Sequence, residues 1–277
     1  MKKSIVWLAS YPKSGNTWVR AFLANYLANA KEPVGINDIH KFALGDSIAE
    51  HYKRVAGGAL DVTNTELTVR LRPRVLGGIV ANKADVNLVK THNINGEAFG
   101  IPLIPVELTR SAIYIIRNPL DMVGSYARHF GLTVEEAAER ICHPHNGTAG
   151  YEKNVPTFMG SWSDHVKSWT KRAAFPVTVL RYEDLLAQPD EEFPKLLRHF
   201  GMEVDPERMA RAIRHSSFDE LKKQESEQGF IEKSEYSDTF FAQGGSGHWK
   251  DDLSRRVIKD IKRANRDVMK EYGYWHE

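Results

Sequence analysis

Several short runs of this 277-residue chain carry residue types that bind or move charge. The first is Ser10-Tyr11-Pro12-Lys13-Ser14-Gly15-Asn16-Thr17-Trp18, which follows the apolar run Ile5–Ala9 and leads into a helical pattern. Glycine, lysine and hydroxyl residues between a strand and a helix suit an anion, because the amides at a helix N-terminus point at it and the dipole favours it. Lys13 adds a mobile positive charge, and Ser14 and Thr17 add hydroxyl donors. The order is not that of a Walker A loop, G-x-x-x-x-G-K-[ST]. Here Lys13 precedes the loop's only glycine, and no hydroxyl follows a Gly-Lys pair to hold magnesium. On these residues alone, a phosphate cradle without a metal arrangement and an ordinary helix start after a buried strand are equally open.

Arg117 closes the most apolar run, Ala112–Ile116, and Ser125 follows eight residues later. A guanidinium at a strand end offers a planar fork for a phosphate, and a hydroxyl on the next helix can donate to the same group. The plainer alternative is a structural arginine paired with Asp121. Val89-Lys90-Thr91-His92 closes another strand. A histidine there sits where α/β sheets bind ligands, and its ordinary pKa suits a general base near neutral pH. A lone histidine among 11 can equally be structural.

Taken in order, these runs resemble the sulfotransferases that use 3′-phosphoadenosine 5′-phosphosulfate (PAPS). Tyr11–Trp18 is similar to that family's phosphosulfate loop, with Asn16 in place of a threonine, and Tyr114–Tyr126 is similar to its 3′-phosphate segment, including the Arg117-to-Ser125 spacing. Lys90-Thr91-His92 resembles the catalytic segment, Arg181-Tyr182-Glu183-Asp184 the element whose tyrosine contacts the nucleotide, His215-Ser216-Ser217-Phe218 the adenosine segment, and Gly247-His248-Trp249-Lys250 the C-terminal G-x-W-K signature. The resemblance spans residues from about 5 to 250. It implies in-line sulfuryl transfer from PAPS to an acceptor hydroxyl, leaving adenosine 3′,5′-bisphosphate (PAP). His92 would be the general base, with Lys13 and Lys90 stabilising charge. Lys13, Ser14, Gly15, Asn16, Thr17, Trp18, Arg117, Ser125, Tyr182, Ser216 and Phe218 would bind the nucleotide, Trp18 and Phe218 flanking the adenine. No metal is implied. The pair His143 and His145 in a proline-containing loop has no third ligand in view.

The chain departs from the family in two places. An Arg-Lys-Gly triplet that grips the 3′-phosphate in many members is Ala242-Gln243-Gly244 here, so two cations are missing, with Lys250 as a candidate substitute. The family's C-terminal dimer motif is not evident after Lys250. The opening loop also looks like that of bacterial sulfotransferases acting on natural products.

Positioning these residues requires strands that alternate with helices. The patterning predicts strands at Ile5–Ala9, Val86–Lys90, Ala112–Ile116 and Val177–Leu180. It predicts helices from about Thr17 to Leu27, from Pro119 to about Gly131, from about Glu191 to a C′ glycine at Gly201, and from Leu253 to Tyr272. Apolar strands alternating with helices predict an α/β fold: a P-loop-like parallel β-sheet covered by helices on both faces, a single domain over residues 1–277 with mobile acceptor-site loops. Those loops are expected at about 37–60, 93–105, 140–160 and 224–245.

Composition narrows the partners. Lys and Arg total 38 against 36 Asp and Glu, a net charge of +2, which gives no basic footprint for nucleic acid. The single cysteine, Cys142, excludes an internal disulfide and a Cys-rich metal site. No apolar run approaches the roughly 18 residues of a membrane span, and a cytoplasmic enzyme is expected. The loop residues Phe42, Phe99, Tyr151, Phe158, Met159, Phe230 and Tyr236 suit a small-molecule acceptor, aromatic or a natural product. Two other classes stay open on the residues: a P-loop nucleotide kinase or NTPase, and a non-catalytic nucleotide-binding module.

Overall fold

The structure is a computed structural model that describes residues 4–276. Along the chain these form β1 (Ser4–Ser10), α1 (Asn16–Ala28), β2 (Leu44–Gly45), α2 (Ala49–Ala56), α3 (Thr65–Val80), β3 (Val86–Thr91), β4 (Thr109–Ile116), α4 (Pro119–Phe130), α5 (Val134–Cys142), α6 (Trp162–Thr170), β5 (Val177–Arg181), α7 (Tyr182–Ala187), α8 (Pro189–His199), α9 (Pro206–His215), α10 (Phe218–Gln228), α11 (Trp249–Asp252) and α12 (Arg255–Glu271). These five strands make one parallel sheet in the order β2-β3-β1-β4-β5, flanked by helices, so the expected α/β fold is the observed one; two antiparallel pairs of two-residue strands, Glu97–Ala98 with Ile101–Pro102 and Gly147–Thr148 with Thr157–Phe158, lie outside it.

Sheet position follows strand composition. β1 is the central strand, and Ile5 through Ala9 are all buried. A strand covered on both faces has to be apolar throughout rather than alternating. The neighbouring β4 is buried in the same way from Ala112 to Ile116. β3 alternates between buried and half-buried, and the edge strand β5 buries only Leu180 fully. No helix among the described residues is long and apolar enough to cross a membrane.

The chain forms two compact units. One holds the residues up to Tyr11 with Ala43–Tyr114 and Ile141–Val179; the other holds Pro12–Phe42, Ile115–Arg140 and the chain from Leu180 onward. The first contains most of the sheet. The stretch 37–60, expected as loop, carries β2 and α2 in its part from Ala43 on, which belongs to this unit, because tertiary contacts fix it. Asp46 and Arg72 form a buried ion pair at 2.6 Å, both side chains 3% exposed. Asp46 also accepts from Thr91 Oγ1 (2.7 Å) and Asn93 Nδ2 (3.0 Å), and the Tyr52 hydroxyl donates to its carbonyl (3.0 Å). Arg72 Nε donates to the Leu103 carbonyl at 2.7 Å.

The second unit packs α1 against α9, with Phe22 stacked on Phe193 of α8 at 3.8 Å between ring centroids. Ala21, Ala24, Ile36, Ile39, Leu221, Phe230 and Phe241 form a further cluster. The stretch 224–245, expected as loop, is helical as far as Gln228, where α10 ends. Helix ends follow the local chemistry. Asn118 caps α4 by accepting from the Leu120 amide, with Pro119 at the first position, and Gly131 ends it at φ 64°. Gly201 follows α8 with φ 68°, as a C′ glycine does.

Asp46→Ala leaves the Arg72 guanidinium buried without its carboxylate. Loss of one partner of a buried pair costs about 3–5 kcal/mol, and urea unfolding should show a loss of that order. Adding Arg72→Met should recover part of it; no recovery would mean that Asp46 acts through its bonds to Thr91 and Asn93.

Candidate active site

The run after β1 bends sharply into α1. Lys13 and Gly15 both take left-handed backbone, φ 66° and 98°. Such turns align successive amides around an anion. α1 then begins at Asn16 with no side-chain cap and no acidic residue in its first turn, an N-terminus whose dipole favours an anion. Glycine is required at position 15 for two reasons. Its φ disfavours other residues, and a Cβ there would lie 2.6 Å from Tyr182 Cδ2. Ser14 and Thr17 are buried in this cradle, and the Lys13 ammonium rests over the Phe240 ring at 3.5 Å.

Arg117 ties this loop to the rest of the second unit. Its Nη1 donates to the Lys13 carbonyl (3.1 Å) and its Nη2 to the Gly245 carbonyl (3.2 Å), while the guanidinium lies 4.2 Å from the Tyr182 ring centre. Its Nε is buried with no hydrogen-bond partner among the described residues. The alternative of an Arg117–Asp121 pair fails. Both Asp121 oxygens accept instead from the Gly247 amide at 2.9 Å. Ser125 lies two turns along α4 and lines the same open cavity as Arg117.

Tyr182, Trp18 and Phe218 form the aromatic part of the site. Trp18 meets Tyr182 and Phe193 edge-on at 5.7 and 5.6 Å. Trp18 and Phe218 pack against the same apolar cluster, and a Cβ on Gly244 would touch the Phe218 ring at 3.0 Å. Ser216 is fully buried and its hydroxyl donates to the Ala212 carbonyl (2.8 Å), which closes α9 and sets the turn before Phe218. Next to Tyr182, Glu183 accepts from the Asn118 amide and the Tyr274 hydroxyl, both at 2.9 Å; burial raises its pKa against those bonds. The nucleotide-binding residues expected from the sequence therefore all belong to the second unit.

His92 and Lys90 belong to the first unit. Lys90 stands on β3, in register with Leu8 of β1. His92 follows the strand, and its Nδ1 is 2.8 Å from the Ser10 carbonyl. A carbonyl only accepts, so Nδ1 carries the proton, and the neutral ring keeps Nε2 unprotonated. A second histidine holds the His92 backbone. His165 Nε2 donates to the His92 carbonyl (3.2 Å), and its Nδ1 accepts from the Tyr114 hydroxyl (2.8 Å). Burial pushes the His165 pKa down to about 3, which keeps it neutral.

Ser10, His165, Asp46 and Arg72 escape a reading of the sequence because they lie far along the chain from what they hold. Ser10 at the end of a strand, three residues before Lys13, is the one that position could have suggested. His143 and His145 have ring centres 5.7 Å apart. Among the described residues no group of three potential metal ligands comes together.

The sulfotransferase domain family model matches residues 3–273. Sulfotransferase 1 family member D1 of Mus musculus is 29% identical to the chain, over 96% of the chain and 82% of the relative. Sulfotransferase 1B1 of Mus musculus is 30% identical over 78% of the chain and 64% of the relative. Among solved structures, mouse sulfotransferase SULT7A1 complexed with PAP superposes with a TM-score of 0.61 at 21% identity, covering 98% of this chain and 86% of that one. Retinol dehydratase in complex with androsterone and the inactive cofactor PAP gives 0.64 at 18% identity, covering 98% and 82%. At those identities the likeness concerns the fold.

The neutral His165 predicts an acid-sensitive structure. In the unfolded chain this ring titrates near 6.5, while the folded ring stays neutral down to about 3. Below pH 6.5 the unfolded state therefore binds the extra proton, and stability falls as pH falls, by up to about 1.4 kcal/mol per unit from this group. Urea unfolding at pH 7, 6 and 5 should show a shallower decline for His165→Asn than for the native chain. Equal slopes would remove His165 as the cause.

Proposed function

Because the chain belongs to the PAPS-dependent sulfotransferase family, we propose that its 277 residues act as one domain that moves the sulfuryl group of PAPS onto the hydroxyl of a small molecule, with His92 as general base. The observation that carries the assignment of the base is the bond from His92 Nδ1–H to the Ser10 carbonyl. It fixes the tautomer in which Nε2 takes a proton, as a base must.

PAPS supplies a sulfuryl group joined to a stable phosphate leaving group. His92 Nε2 removes the proton as the acceptor oxygen bonds to sulfur. The bond from sulfur to the 5′-phosphate oxygen breaks in line, and PAP departs with that oxygen. Lys13 and Lys90 balance the charge that grows on the bridging and peripheral oxygens, a role for fixed cations in place of a metal. The amides of Ser14, Gly15, Asn16 and Thr17 hold the 5′-phosphate at the start of α1. Arg117 and Ser125 hold the 3′-phosphate, and Trp18, Tyr182, Ser216 and Phe218 shape the adenosine site. The loop supports this reading: no side-chain cap at the start of α1, a left-handed glycine packed against Tyr182, and a buried arginine whose Nη1 and Nη2 donate to carbonyls. The solved retinol dehydratase complexes hold androsterone and retinol, apolar alcohols or ketones. The exposed rings Phe99 and Tyr151 of the first unit suit an acceptor of similar apolar character here.

His92→Ala should lower sulfation of a phenol and sterol panel, followed with labelled PAPS, by about 10²–10⁴-fold. PAP affinity by calorimetry should be unchanged. Lys13→Ala should lower both. Turnover that survives His92→Ala would assign the base elsewhere, and a chain that is thermally stabilised by ATP–Mg and not by PAP would overturn the donor.

A further inference from the structure

We infer that Arg128 supplies the cation that Ala242 and Gln243 lack, and binds the donor's 3′-phosphate together with Arg117 and Ser125. The inference rests on the PAPS reading above. An open surface pocket in the second unit is lined by Arg117, Ser125, Arg128, Gln243 and His248, with Asp121 and Asp252 at its wall. A second is lined by Lys13, Ser125, Arg128 and Phe240. Ser125 and Arg128 line both.

Spacing explains why. Ser125 and Arg128 are three residues apart on α4, so both side chains leave one face of the helix. The Arg128 guanidinium folds back along that face, where a Cβ on Gly124 would be 3.8 Å from its Nη1. Among the described residues the Arg128 side chain makes no hydrogen bond and no ion pair, whereas Arg117 already spends one donor on Lys13 and one on Gly245. Arg128 is therefore the guanidinium with its whole fork to offer, a shape that meets phosphate oxygens in pairs.

Charge makes the same case. Asp121 and Asp252 set two negative charges against the cavity's cations. With Arg117 as the only arginine the lining would be net negative, which repels a phosphate. Arg128 brings it to balance, and the dianion then sits between two guanidiniums. Gln243, which occupies a cation position of the family triplet, lines the cavity without charge. Lys250 does not line it, and its ammonium lies 5.7 Å from the Trp249 ring centre, which removes it as the expected substitute.

The test is calorimetric titration of the whole chain with PAP and with adenosine 5′-monophosphate, which lacks the 3′-phosphate. Arg128 is exposed, so Arg128→Gln should fold, and its melting curve checks this. The variant should bind PAP about 10- to 100-fold more weakly, the range for a lost charge-assisted contact, and bind the monophosphate as before. Arg128→Gln combined with Ala242→Arg should regain PAP affinity. The inference is overturned if Arg128→Gln keeps native PAP affinity, or if it loses both nucleotides equally. If the native chain shows no preference for PAP over the monophosphate, the donor reading itself fails, which is a separate result.

Discussion

A buried guanidinium without a carboxylate is the constraint on which the nucleotide side of this molecule depends. Arg117 holds the Lys13 and Gly245 carbonyls and lies over the Tyr182 ring, and Tyr182 in turn sits where a side chain on Gly15 would be. One cation thus joins the loop after β1, the end of β4, the start of α7 and the segment before α11. Two carbonyls and a ring face receive its charge, and the neighbouring Glu183 carboxylate feels it without bonding to it. On the proposed function, a nucleotide phosphate would complete that compensation.

The first unit handles buried charge in the opposite way. Asp46 and Arg72 neutralise each other at 2.6 Å, and the remaining Asp46 bonds go to Thr91 and Asn93, on either side of His92. His165 holds the His92 carbonyl from a ring that burial keeps neutral. If His92 is the base, as proposed, it has to present one nitrogen in one orientation, and a closed, paired network around its backbone would serve that need.

The sequence makes the local devices legible and hides the distant ones. The loop from Ser10 to Trp18, the Arg117-to-Ser125 spacing and Lys90-Thr91-His92 are contiguous, and each follows an apolar run that announces a strand. Sheet position was legible for the same reason: β1 and β4 are apolar throughout and lie inside the sheet. α2 and β2 were not legible, since eight and two residues carry too little periodicity, and what fixes them is Tyr52 and Asp46 meeting Arg72 at separations of 20 and 26 residues. His165 stands 73 residues from the carbonyl it holds, and nothing in its neighbours marks it. Arg128 lay in plain view three residues past Ser125, but its meaning depends on which cavity the helix face lines.

The total charge of +2 is consistent with this division, because what matters is whether each charge is already engaged. Lys13 is the instructive case. Its ammonium rests on Phe240, a contact worth about 0.5–1 kcal/mol at an exposed site, and a carboxylate in that place would bind it more firmly. An aromatic ring holds the lysine by its quadrupole and leaves its positive charge in place. The same logic leaves Arg117 without a carboxylate and keeps acidic residues out of the first turn of α1. A net charge near zero therefore says little about any one place on the chain: Asp121 and Asp252 stand with Arg117 and Arg128 in one pocket lining, and the Glu183 carboxylate feels the Arg117 charge.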